Sequence, residues 1–220
     1  MIVRFIHRYL DPSESLLEIL FGLIMALTMT AGARLLQERA EINSTELAVG
    51  LVGCNVAWGL IDAAFFLLGT KFNRNRRVQF VRRLQATTDE AKAFALIHDE
   101  FGLEGEPPTR EQDRVAFHQS VLELLRHAGT ERAHLRFDDL VAAGLVLVLV
   151  SATALPGLIP VLLLEDNYLA LRIANVGQIL LLFLIGFGWA SYTGAPRWRT
   201  GTLIALLGIA LVLVAVALGG

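Results

Sequence analysis

The stretch that decides the fold runs from Asp11 to Thr30 and reads DPSESLLEILFGLIMALTMT. It opens like a soluble helix, because Asp11 is a favourable N-cap and Pro12 suits the first helical position. It then becomes almost entirely apolar and reaches the length of about 20 residues that a membrane crossing needs. Two acids, Glu14 and Glu18, lie close to its start. The stretch therefore predicts a sharply capped membrane helix with carboxylates at its entrance.

Composition places the whole chain in the same class. Hydrophobic residues make up 55% of the 220 residues, and the mean hydropathy is +0.56, values that are rare in soluble domains. Five segments are long and apolar enough to span a membrane: 15–36, 46–69, 139–164, 168–191 and 201–219. The expected fold is an all-α integral membrane protein with five transmembrane helices.

A polar insertion separates the second span from the third. Residues 71–137 hold ten of the 21 acidic and twelve of the 19 basic residues. Their apolar stripes predict three helices: about 73–86, from Thr87 to Phe101, and from Thr109 to about Arg126. The expected organisation is an interfacial helix at 1–10, transmembrane helices 1–2 at 11–70, the helical insertion at 71–137, and transmembrane helices 3–5 at 138–220.

The distribution of basic residues predicts the orientation. With five spans, the N-terminus, the insertion and the 192–200 loop lie on one side, and that side holds 16 of the 19 Lys and Arg residues. Basic residues concentrate on the cytoplasmic side, so the N-terminus and the insertion should be cytoplasmic and the C-terminus should face away. The formal net charge of −2 indicates no nucleic-acid-binding surface.

Prolines predict a break in the third span. Pro156 and Pro160 lie in its outer half, and each removes a backbone hydrogen bond. This span should therefore bend or break there.

Polar residues inside the spans are candidates for function, because they are costly in lipid unless they are paired or face water. Helical spacing places three sets of such residues on single helix faces. These are Glu14, Glu18, Gly22, Met25 and Met29 on the first span, Asn55, Gly59 and Asp62 on the second, and Arg172, Asn175 and Gln178 on the fourth.

The rise per residue puts these groups at stepped depths from the inner boundary, with Glu18 at about 3 Å, Asp62 at about 10 Å and Asn175 near 20 Å. Converging faces would form a cation path lined by Glu14, Glu18, Met25, Met29, Asn55, Asp62 and Asn175. Glu18, Asp62 and Met25 would be its metal ligands. The alternatives are that Glu18 reaches the interface, the methionines fill space and the asparagines link helices. A purely structural role does not explain Asp62, because an acid at that depth must be protonated, paired with another group or in contact with water.

The insertion offers one further pair of metal ligands. Glu123 and His127 are four residues apart and could bind a metal together. The sequence contains no Gly-rich phosphate loop, G-x-S-x-G, CxxC or HExxH pattern, so an enzyme is not expected.

The layout and three motifs resemble the vacuolar iron transporter family. Bacterial sequences of this kind open the first span with D-P-x-E-x-x-x-E-I-x-F-G-L-I-M-x-L-T-x-T, which matches Asp11 to Thr30 here. The strings GCNVAWGLID, from Gly53 to Asp62, and ASYTGAPRW, from Ala190 to Trp198, are also similar. The likeness covers nearly the whole chain.

The resemblance implies a homodimer that exchanges a divalent metal, chiefly iron or manganese, against protons, with the metal as substrate and no tightly bound cofactor. In the family, the cytoplasmic insertion gathers metal through glutamates, and the likeness to bacterial members implies the bacterial inner membrane. This chain carries Asp62 in its second span and its first-span acids near the entrance. The alternative is a non-transporting membrane protein whose cytoplasmic helices sense metal or bind a partner.

Overall fold

The computed structural model describes residues 2–37, 43–101, 110–131 and 134–218. In these ranges the chain forms helices and no strand. The helices are α1 (Ile2–Tyr9), α2 (Pro12–Gln37), α3 (Ser44–Ala86), α4 (Glu90–Phe101), α5 (Glu111–Arg126), α6 (Phe137–Ala152), α7 (Leu155–Leu163), α8 (Asn167–Thr193) and α9 (Arg197–Ala217). The expected five apolar spans correspond to α2, α3, α6 with α7, α8 and α9. The all-α class and the five candidate membrane helices are confirmed.

Side-chain caps define where the spans begin. The Ser13 amide donates to Asp11 Oδ1 at 2.8 Å, and the Thr45 amide donates to Asn43 Oδ1 at 2.9 Å. Asp166 accepts from the first two amides beyond Asn167 in the same way. Each cap satisfies donors that a helix start leaves without an intrahelical partner. The predicted helix start at Asp11 and Pro12 is confirmed.

The third span is broken, as its prolines predict. Helix α6 ends at Ala152, a tight turn passes through Thr153 and Ala154, and α7 begins at Leu155. Pro156 lies in the first turn of α7, where a missing amide hydrogen costs little. The break therefore falls just before the first proline.

The protein divides into two compact units, Met1–Leu67 with Phe137–Gly220, and Leu68–Arg136. The first unit packs around Leu23, Leu27 and Leu182, which are 0–3% exposed. Helices α8 and α9 approach closely in this unit, since a Cβ at Gly186 would lie 3.0 Å from the Gly201 Cα.

The second unit contains the end of α3 with α4 and α5, around Leu84, Ile97 and Leu122. The helix predicted at about 73–86 is present and ends at Ala86, but it has no start of its own, because α3 continues without interruption from Ser44. The predicted start of the next helix at Thr87 is also wrong, since α4 begins at Glu90. Thr87 Oγ1 donates back to the Arg83 carbonyl, and Asp89 Oδ1 accepts from the Ala91 amide. The predicted opening of the third helix at Thr109 lies outside the described residues.

Candidate functional site

Two acids from different membrane helices meet in the first unit. Glu18 on α2 and Asp62 on α3 have side chains near enough to interact with each other electrostatically. Both side chains are half-buried. No hydroxyl, amide or basic group in the described ranges donates to the buried Glu18 Oε2. Two neighbouring carboxylates repel each other, and a shared proton or a bound cation would remove that repulsion.

A cavity of about 300 Å³ lies beside this pair. Asp62 contributes its polar wall and Met25 contributes a thioether. The other lining residues are apolar or aromatic and come from four helices: Phe21, Gly22, Ile24, Trp58, Val150 and Leu211. Asp62 and Met25 therefore line one open cavity that α2, α3, α6 and α9 border.

Glycines let the helices around the pair approach closely. A Cβ at Gly59 of α3 would lie 2.9 Å from the Leu147 carbonyl oxygen of α6. A Cβ at Gly22 of α2 would lie 2.2 Å from Thr153 Oγ1. These contacts hold the polar faces of α2 and α3 against the broken third span.

Asn55 links these helices through its side-chain amide. Its Nδ2 donates to Thr153 Oγ1 at 2.8 Å, with longer contacts to the Val150 and Gly22 carbonyls at 3.3 and 3.4 Å. Thr153 in turn donates to the Val150 carbonyl at 2.6 Å. Asn55 is fully buried, and its Oδ1 has no partner among the described residues. The amide nitrogen thus has a structural role, while the oxygen is unused.

The deeper residues of the predicted path do not line the cavity. Met29 packs against the apolar cluster of Ala26, Leu51 and Ala154. Asn175 is 8% exposed, and its Oδ1 has no partner within the described chain. Its neighbour on the same face, Gln178, accepts from Thr30 Oγ1 at 2.9 Å. Of the predicted path, only Asp62 and Met25 line the cavity, and Glu18 lies near Asp62. The cavity lining does not include Glu14, Glu18, Met29, Asn55 or Asn175.

The remaining candidates are exposed. Glu14 lies at the surface, one turn before Glu18, and Glu123 and His127 lie at the exposed end of α5. In the part of the chain that the structure describes, no group of three or more His, Cys, Asp or Glu residues is placed to hold a metal. A metal at the Glu18–Asp62 pair would therefore need further ligands from Met25, backbone carbonyls or water.

Three residues near the site had no role in the sequence-based path. Trp58 lines the cavity, Thr153 accepts from Asn55, and the Cys54 thiol lies 3.7 Å from Met25 Sδ. Trp58 and Cys54 flank the face of α3 that the helical period predicts. Thr153 carried no signal of its own, because its position depends on the turn between α6 and α7.

No protein-family model matches this chain, and a comparison with curated proteins finds no match either.

Proposed function

We propose that the protein transports a divalent metal ion, iron or manganese, across the membrane in exchange for protons. The observation that supports this most directly is the meeting of the Glu18 and Asp62 carboxyls beside a cavity that Met25 also lines. Paired acids on two membrane-spanning helices are costly and are a default indication of an ion or proton pathway.

The pair suits an exchange of ion for proton. Without metal, one proton shared between Glu18 and Asp62 removes the repulsion between their charges. A divalent cation removes the same repulsion more completely, so its arrival displaces the proton. Binding and release of metal are then linked to proton movement in the opposite direction.

The donor set favours an ion of intermediate hardness. Carboxylate oxygens suit Mn²⁺, and a thioether such as Met25 is a soft ligand that Mg²⁺ and Ca²⁺ do not use. Fe²⁺ accepts both kinds of donor. Iron and manganese are therefore the substrates we propose.

The orientation, oligomeric state and cellular membrane that we propose rest on the sequence. The bias of basic residues supports a cytoplasmic N-terminus and a cytoplasmic insertion, and the motif likeness supports a homodimer in a bacterial inner membrane. Glu14 would attract cations at the entrance, and Glu123 with His127 would gather them on the insertion.

Uptake into reconstituted vesicles tests the proposal. Purified full-length protein is given Fe²⁺, Mn²⁺, Co²⁺ or Zn²⁺ with and without a pH gradient. We expect Fe²⁺ or Mn²⁺ uptake that the gradient stimulates. Glu18→Gln and Asp62→Asn should each lower initial uptake by at least about tenfold, because each removes a charged ligand.

Glu46→Gln is the matched control, because Glu46 is an exposed carboxylate at the start of the same helix as Asp62. It should transport like the wild type. Unchanged uptake by both pair variants would reject the mechanism. Absence of uptake for every ion would favour the alternative of a membrane protein that senses metal or binds a partner through its insertion.

A further inference from the structure

The second unit contains a larger cavity, of about 600 Å³, with a basic lining. One wall is a face of α3 that carries Lys71, Asn75, Gln79 and Arg82 together with Val78, and the opposite wall consists of His134 and Leu135. Among the described residues that line it, none is acidic. Its volume is that of a ligand pocket rather than a packing defect.

Hydrogen bonds from α3 hold the opposite wall in place. Arg74 donates to the His134 carbonyl at 3.0 Å, and Arg82 donates to the Thr130 carbonyl at 2.6 Å. Gln85 Nε2 donates to the carbonyls of Leu125 and Ala128, both at 2.9 Å. Three side chains of α3 therefore hold the end of α5 and the carbonyls of Ala128, Thr130 and His134 near this helix.

The lining is rich in hydrogen-bond donors. Lys71 has three ammonium hydrogens, Arg82 has guanidinium hydrogens beyond the one used on Thr130, and Asn75 and Gln79 add amide groups. Cations and amides in a fixed arrangement match the oxygens of a phosphate group.

We propose that this cavity binds a phosphate-bearing anion. The ligand is either a phospholipid headgroup or a free phosphate compound. Lys71 is three residues beyond the apolar Leu68, and His134 is three residues before the start of α6 at Phe137. Both walls are thus within about one helical turn, along the chain, of a segment that spans the membrane.

Two binding measurements on the full-length protein test the proposal. In the first, native mass spectrometry counts phosphatidylglycerol retained from nanodiscs of phosphatidylcholine with a minor share of phosphatidylglycerol. In the second, delipidated protein in detergent is titrated with inorganic phosphate. Lys71→Gln should weaken binding about fivefold, as expected for one cation lost near an anionic group. Asn75→Asp should also weaken binding, because the substitution adds a negative charge with almost no change in the shape of the side chain.

Arg77→Gln is the matched control, since Arg77 is an exposed cation on the same helix that does not line this cavity. It should bind like the wild type, and thermal unfolding should show that all three variants are folded. If Lys71→Gln and Asn75→Asp retain less phosphatidylglycerol but bind phosphate normally, the ligand is a lipid headgroup. If they bind phosphate more weakly but retain phosphatidylglycerol normally, the ligand is a soluble anion. Equal losses in Lys71→Gln and Arg77→Gln, or no binding in either measurement, would overturn the proposal.

Discussion

Gly22 is a residue at which α2 comes very close to the broken third span. Its position has room for a hydrogen only, because an added Cβ would lie 2.2 Å from Thr153 Oγ1 and 3.1 Å from Thr153 Cβ. The contact also sets the position of Thr153, which accepts the Asn55 amide. Small residues allow this kind of close approach between membrane helices.

Gly22→Ala is expected to destabilise the protein by about 1–3 kcal/mol, the usual cost of forcing a methyl group into a packed site. Gly177→Ala is the control, since an added Cβ there meets nothing within 4 Å. Thermal unfolding in detergent measures both. Equal unfolding temperatures for the two variants would show that Gly22 is not a tight contact.

His118 is a buried histidine in the second unit. It is 9% exposed, its Nε2 has no partner among the described residues, and its ring lies against Phe94 and His98. Burial lowers its pKa, and the nearby His98 and Arg114 lower it further. The folded protein therefore holds a neutral His118 under conditions in which the unfolded chain would be protonated.

The sign of the pH effect follows from the lowered pKa. Above the ordinary histidine pKa of about 6.5, neither state is protonated and the stability is complete. Below it, the unfolded chain gains a proton first, so stability falls until the pH passes the folded pKa. The unfolding temperature should therefore drop as the pH is lowered through the ordinary histidine pKa of about 6.5. His118→Leu should reduce that drop and His127→Gln, at an exposed site, should not. The same drop in all three proteins would contradict this account.

At the scale of elements, local chemistry made the helix starts predictable. Asp11, with Pro12 after it, marks a helix start from the sequence alone, because a cap acts on amides only two or three residues away. The break in the third span was predictable for the same reason, since a proline acts on its own turn.

Features that depend on neighbouring helices were less predictable. The sequence suggested a new helix near residue 73, where composition turns polar, but α3 continues because nothing between Leu68 and Asn73 stops a helix. A helix can pass from an apolar to a polar sequence, and so from lipid into water, without ending. Helical spacing placed Glu18 and Asp62 on defined faces, yet estimated depths separated them by several ångströms. Their meeting, and the separation of Asn175 from their cavity, depend on how the helices pack.

Asn55 tests the packing of α3 against α2 and α6. Asn55→Ala should cost about 1–2 kcal/mol, the usual value for a polar link between membrane helices. Cys54→Ala is the control, because the half-buried Cys54 side chain makes only a weak thiol contact with Met25. Thermal unfolding compares the two. A loss no larger than that of Cys54→Ala would mean that Asn55 does not hold these helices together.

At the scale of the whole molecule, α3 is sparsely covered by the rest of the chain. Only 17% of the most apolar 18-residue stretch of α3 is buried, compared with 39% of the corresponding stretches of α2 and α8. The corresponding stretch of α9 is also mostly exposed, with 22% of it buried, but α9 has no ionisable residue beyond Arg199, so lipid suits it. Helix α3 carries the half-buried Asp62, which lipid does not suit. We therefore expect α3, rather than α9, to face the second copy in the proposed homodimer.

Cross-linking tests this expectation in a Cys54→Ala background. Phe65→Cys on α3 and Leu213→Cys on α9 make a matched pair, because the native side chains are 68% and 65% exposed. In membranes, a short bismaleimide should join two chains at position 65 and not at position 213. Dimers formed only at position 213, or at neither, would contradict an interface on α3.

The central claim is that Glu18 and Asp62 share a proton that a divalent metal displaces. Proton release tests it most directly, in a weakly buffered detergent solution of the full-length protein titrated with Mn²⁺. Wild type and the Glu123→Ala/His127→Ala variant should each release about one proton per ion bound at the pair. Glu18→Gln/Asp62→Asn should lose both the binding and the release. Release that is unchanged in that double variant would contradict the account.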